Sequence, residues 1–176
     1  MKLIVWLWNP WIEYTYTRHN IGFLFLDFLR GHYGLEDFKD SKYKWVISVW
    51  EIGWEKFILL KPTTYMNLSW ESIIALMNFY KIDRKDFMVV YDDMSMDFGK
   101  LRFRDKWSAW WHNWIKSIIK VFGSEEFKRI KIWIWCNSRY DIADWVLSRL
   151  TNEELMSLSE HVFIEALQIL EKEFIS

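Results

Sequence analysis

Short apolar runs alternate along the chain with stretches in which apolar residues recur at helical spacing, and this predicts an order of strands and helices. Leu3, Ile4 and Val5 open it as a buried strand over about residues 2–7, with a turn at Asn9-Pro10 and a loop running to Arg18-His19-Asn20. Ile21 to Leu29 reads as a helix offering Phe23, Leu24, Leu26 and Phe28 to a core, stopped by Gly31 and Gly34. Residues 43–52 and 56–60 read as a hairpin around Gly53; Lys61-Pro62 ends its second arm and directs the chain into a loop carrying Tyr65, Met66 and Asn67. Ser69 is placed to cap a helix in which Ile73, Ile74, Leu76, Met77 and Tyr80 keep an approximate helical period.

The apolar run at 87–91 suits a central strand, with Asp92-Asp93 leaving its carboxyl end, the edge where open α/β sheets bind ligands. Residues 99–104 alternate cation and apolar side chain, as a half-exposed strand does, and 112–122 and 129–135 read as amphipathic helix and strand. Thr151 and Glu154 form a capping box for a long final helix with an apolar stripe of Leu155, Leu158, Val162, Ile164, Leu167 and Leu170. Strands interleaved with helices, without repeat or linker, predict one α/β domain over 1–176, a mixed β-sheet flanked by helices on both faces.

Composition adds bounds. At 176 residues and 52% hydrophobic the chain suits a substantial core. The opening apolar run is too short for a signal peptide, and no stretch approaches the roughly 18 apolar residues of a membrane span. One cysteine, Cys136, cannot form an internal disulfide, which fits a reducing cytoplasm and reads as a small strand-end filler. Net charge is −1, but unevenly spread: Lys100, Arg102, Arg104 and Lys106 stand against Asp105, Lys116 to Lys131 is also cationic, and six glutamates after 151 face a single lysine. A basic middle and an acidic tail suit one face meeting phosphates and another facing water, although charge alone fits a solvated surface equally well.

His19 at an element junction is a weak signal alone, but the sequence around it is specific. TRHNIGF at 17–23, KPTTYMNLS at 61–69, VVYDDMSMDFGKLRFR at 89–104 and HNWIKSII at 112–119 make the chain resemble the bacterial peptidyl-tRNA hydrolase family, in that family's order and approximate spacing, from residue 1 to about 150. At ten positions where the family carries glycine, this chain carries tryptophan: Trp6, Trp8, Trp11, Trp70, Trp107, Trp110, Trp111, Trp114, Trp133 and Trp135. Read with glycine, WLWNPW becomes GLGNPG and SAWWHNW becomes SAGGHNG. Independent mutation does not choose one replacement so consistently, so the pattern points to UGA codons that encode glycine being read as tryptophan. The 14 tryptophans outnumber the 13 phenylalanines and leave 6 glycines. Trp45, Trp50, Trp54 and Trp145 are open to either reading.

The resemblance implies hydrolysis of the ester joining a peptide to the terminal ribose of tRNA. It implies His19 as the base for water, Asp92 as the group orienting it, and Asn9 beside the histidine selecting blocked over free aminoacyl-tRNA. Asn67 and Asn113 match residues that hold the peptide or the tRNA end, Tyr14, Tyr65 and Met66 match its pocket, and Arg104 and Lys131 match cations that grip a tRNA phosphate. An amide both donates to a carbonyl and accepts from N–H, which suits these roles. With glycine restored, residues 6–11 match GxGxxG, but a dinucleotide site needs a helix opening at the glycines, and here about ten loop residues intervene. Asp92-Asp93 supplies too few oxygens for a hard cation. No cofactor, no metal and no membrane partner are therefore expected, and the chain reads as a cytoplasmic monomer acting on peptidyl-tRNA. The alternative is a catalytically inactive RNA-binding module that keeps the fold; retention of His19, Asp92 and three asparagines speaks against it.

Overall fold

The computed structural model describes residues 1–175 other than 7–11, 41–44, 64–68, 94–96, 107–112 and 135–140. Its strands are β1 (Lys2–Trp6), β2 (Lys39–Asp40), β3 (Trp45–Ile52), β4 (Glu55–Pro62), β5 (Phe87–Asp93), β6 (Leu101–Lys106) and β7 (Glu126–Trp133). Its helices are α1 (Ile21–His32), α2 (Ser69–Tyr80), α3 (Asn113–Phe122), α4 (Ile142–Leu147), α5 (Asn152–Ser157) and α6 (Phe163–Leu170). The strands form one mixed sheet in the order β2-β3-β4-β1-β5-β7-β6. The four central strands run parallel, and β2, β3 and β6 pair antiparallel at the flanks.

β1 from Leu3 onward and all of β5 are buried, as strands covered on both faces require. The period of two divides them between two cores. Ile4, Trp6, Met88 and Val90 meet α1 and α6 on one face, and Leu3, Val5, Phe87, Val89 and Tyr91 meet α2 and α3 on the other. Each large side chain so buried contributes about 1.5–3 kcal/mol, enough together to fix the register. The expected mixed sheet with helices on both faces is what the chain forms.

Several boundaries differ from the sequence reading. β5 keeps Asp92 and Asp93 inside the strand because β7 runs beside it as far as the Asp93–Trp133 pair. β7 begins at Glu126, with Phe127 already buried, and β6 begins at Leu101, after Gly99 at φ +80. The buried stripe of α1 is Ile21, Phe25, Leu26 and Leu29, while Phe23, Leu24 and Phe28 are half-buried at its margin. The capping box of Thr151 and Glu154 forms, but the final helix contains π-helical stretches at Leu158–Val162 and Glu171–Ile175. A π turn shifts the phase of the helix, so Ile164 is exposed while Phe163 and Ala166 are buried.

Candidate active site

The central strands β1, β4, β5 and β7 end on one edge of the sheet, and the segments 7–11, 64–68, 94–96 and 135–140 follow them in sequence. His19 reaches this edge from the turn that leads into α1. Thr17 N–H donates to the Tyr14 carbonyl at 2.9 Å, and Arg18-His19-Asn20 form a buried 3-10 turn that runs directly into α1. Continuing the period of two along β5 turns Asp92 toward α1 and Asp93 toward the opposite face.

On the α1 face, His19 Nδ1 lies 2.9 Å from Asp92 Oδ2, with His19 7% exposed and Asp92 1%. Burial penalises the imidazolium and works to lower its pKa; the Asp92 carboxylate, by its charge and by accepting the Nδ1 proton, outweighs this, and the net shift is upward from 6.5. With Nδ1 held by Asp92, a proton taken up by the ring goes to Nε2.

On the other face, Lys131 Nζ donates to Asp93 Oδ2 at 2.9 Å, both side chains buried, and lies 5.5 Å from the Tyr91 ring centroid. In the β6–β7 register Arg102 stands opposite Lys131 and Arg104 opposite Arg129, and Arg102 lies over the Trp133 ring at 5.2 Å. Like charges directly opposite one another repel; within this block Lys131 is held by Asp93, and the fully buried Arg129 donates to the Glu125 carbonyl at 2.7 Å. Arg104 is half-buried and donates to the Phe103 carbonyl at 2.8 Å.

Tyr14 is half-buried in a short 3-10 turn just before the histidine turn. Asn9, Tyr65, Met66, Asn67, His112 and Cys136 lie outside the described residues, as do Trp8, Trp11, Trp107, Trp110, Trp111 and Trp135. Asn113 is the first residue of α3 and Ser69 of α2, and neither side chain is described. Of the expected site, the structure brings together His19 and Asp92 and sets Arg104 and Lys131 on the neighbouring strand pair. Sequence reasoning missed Asp93 as the partner of Lys131 and Arg18 as an anchor of the histidine turn. Asp93 carried a signal in its adjacency to Asp92; Arg18 carried none beyond standing next to His19.

A buried histidine held by a buried aspartate at the carboxyl edge of an α/β sheet is an arrangement able to support general-base chemistry. The family model for peptidyl-tRNA hydrolase matches residues 3–175, and the chain belongs to that family. It is 47% identical to a peptidyl-tRNA hydrolase of Bacillus cereus over 163 residues, 92% of this chain and 87% of the relative. It is 47% identical to that of Lachnospira eligens over 161 residues, 91% and 86% of the two chains. The solved structure of the Acinetobacter baumannii peptidyl-tRNA hydrolase superposes with a TM-score of 0.84 at 30% identity, covering 96% of this chain and 85% of that one.

Proposed function

We propose that the protein hydrolyses the ester between an N-blocked peptide, or an N-acyl aminoacyl group, and the terminal ribose of tRNA, releasing peptide and recycling tRNA. The observation that carries this reading is the buried contact of 2.9 Å between His19 Nδ1 and Asp92 Oδ2. Nδ1–H donates to Asp92, and Nε2 takes a proton from water as its oxygen attacks the ester carbonyl. Asp92 stabilises the imidazolium, and the proton then passes to the leaving ribose oxygen. Water and ester thus become carboxylic acid and ribose hydroxyl without an acyl-enzyme.

In this reading Asn9 selects blocked substrate, Asn67 and Asn113 bind the peptide or the tRNA end, and Tyr14, Tyr65 and Met66 contribute to binding that end. Arg104 and Lys131 contact a tRNA phosphate, Lys131 by exchanging Asp93 for it. Phosphate contacts give affinity without reading sequence, which suits an enzyme accepting every tRNA. The setting is a cytoplasmic monomer that rescues tRNA from stalled translation, the protein working as one domain. The paired base and acid favour this over a binding module, which needs neither. Release of N-acetyl amino acid from tRNA tests it: His19→Ala lowers turnover by about 10²–10⁴ while tRNA binding persists. Equal turnover by His19→Ala contradicts the assignment.

A further inference from the structure

The histidine turn is anchored by a contact 136 residues away in sequence. Arg18 is 5% exposed. Its Nη2 donates to both carboxylate oxygens of Glu154, at 2.6 and 2.8 Å, and its Nη1 donates to Ser148 Oγ at 2.9 Å and to the Arg149 carbonyl at 2.6 Å. The guanidinium lies 4.2 Å from the Trp145 ring centroid. The backbone joins in: Arg18 N–H donates to the Ser148 carbonyl at 3.1 Å, Leu150 N–H donates to the Tyr16 carbonyl at 2.9 Å, and Thr17 bridges Arg149. Glu154 is at the same time the acidic half of the capping box on α5. Its Oε2 accepts from Thr151 N–H at 2.7 Å, and its own N–H donates to Thr151 Oγ1 at 3.1 Å.

We infer that Arg18 and Glu154 are positioning residues that lock the His19 turn to the cap of the C-terminal helix, fixing the direction of the imidazole relative to Asp92. A surface cap needs no buried arginine; its carboxylate is satisfied by the N-terminal N–H groups of its own helix. A planar guanidinium that divides its two terminal nitrogens between the Glu154 carboxylate and the Ser148-Arg149 segment holds orientation as well as charge, and it is one residue from the base. Misplacing a reacting group by about 1 Å costs on the order of 10²-fold in rate, so the clamp acts on turnover rather than on substrate affinity.

This inference rests on the hydrolase reading for its kinetic arm, and a substrate-free arm separates the two. Arg18→Lys keeps the charge and loses the fork; Glu154→Gln keeps a capping amide and loses the carboxylate. Each is expected to lower kcat about tenfold or more at constant KM, with the double variant no worse than the weaker single, as a shared function requires. The downfield NMR resonance of the His19 Nδ1 proton, held by Asp92, broadens in both. Thr151→Ala removes one side of the capping box but leaves the clamp; it lowers Tm by about 2–4 °C with kcat and the resonance unchanged. The inference is overturned if Glu154→Gln, which sits at the rim and is the safer variant to fold, keeps the wild-type resonance and loses no more kcat than Thr151→Ala. If the wild-type chain releases nothing from tRNA, the proposed function falls, and the resonance alone decides the clamp.

Discussion

Trp6 closes β1 with its indole in the space that a Cβ on Gly22 would need, so β1 and α1 approach there only through glycine. Its Nε1–H is buried without a hydrogen-bond partner among the described residues, and Trp50 shares that defect. An unmade buried bond costs about 1–3 kcal/mol, and overpacking a filled site a similar amount. Trp145 is different: its Nε1–H donates to the Ile134 carbonyl at 3.4 Å and its ring carries Arg18. Large-to-small changes of a buried tryptophan ordinarily destabilise by about 3–5 kcal/mol; Trp6→Gly is instead expected to raise Tm, and a fall would mark the indole as native to β1. Peptide mass mapping of the protein made in its own cells should find glycine at 6 and 50 and tryptophan at 145. Tryptophan at all three would end the UGA reading. The excess of tryptophan was legible in the sequence at once, whereas which indoles fit depends on where their N–H groups point, and no linear pattern carries that.

At the scale of elements, β4 ends on a group that works against the fold. Lys61 is buried, donates to Asp27 of α1 at 2.8 Å, and lies 3.2 and 3.8 Å from the Phe23 and Phe38 ring centroids. Burial lowers its pKa more than the Asp27 carboxylate raises it, and Arg30 lowers it further, leaving it at about 8. The unfolded chain therefore binds this proton more tightly. The group destabilises the fold below pH 8, and the penalty fades as pH rises from about 8 toward 10.5. Lys61→Met should gain up to about 3 kcal/mol at pH 7, with the gain shrinking by pH 10. A loss of Tm at pH 7 would show that the ion pair is net favourable. On the β6–β7 pair, Arg104→Ala should lower the slope of log tRNA affinity against log salt by about 1 with kcat unaltered; an unchanged slope would remove Arg104 from the phosphate contact. Most elements were legible because a buried sheet writes its period into the chain. α4 was not, since six residues are too few to establish a helical period, and the phase shift of the final helix was not, because a π turn leaves the composition of the stripe unchanged.

Across the whole molecule, the sequence carried the class of fold and the charge division: Lys116 and Lys120 are exposed on α3, and Glu153, Glu160, Glu165 and Glu171 are exposed toward the C-terminus. No described helix is long and apolar enough to cross a membrane. What the sequence did not carry on residues alone was the meeting of His19 with Asp92 across 73 positions, or of Arg18 with Glu154 across 136; such contacts follow from strand order and from which face of β5 each carboxylate takes. In the proposed mechanism the His19–Asp92 pair also links fold and function. A histidine whose folded pKa is raised contributes stability that is present below about 6.5 and lost as pH rises through the folded value. That is the window in which the neutral base, and hence activity, should appear.

The pH dependence of kcat/KM for release of N-acetyl amino acid from tRNA, for the wild-type chain and for Asp92→Asn, tests this most directly, because that ratio reports the free enzyme's base. The wild-type acid limb should lie above 6.5, set by the Asp92 carboxylate. In Asp92→Asn only burial remains, so the limb should fall below 6.5 while the rate drops by about 10²–10⁴. Identical acid limbs and rates in the two chains would contradict the assignment of His19 as a base oriented by Asp92.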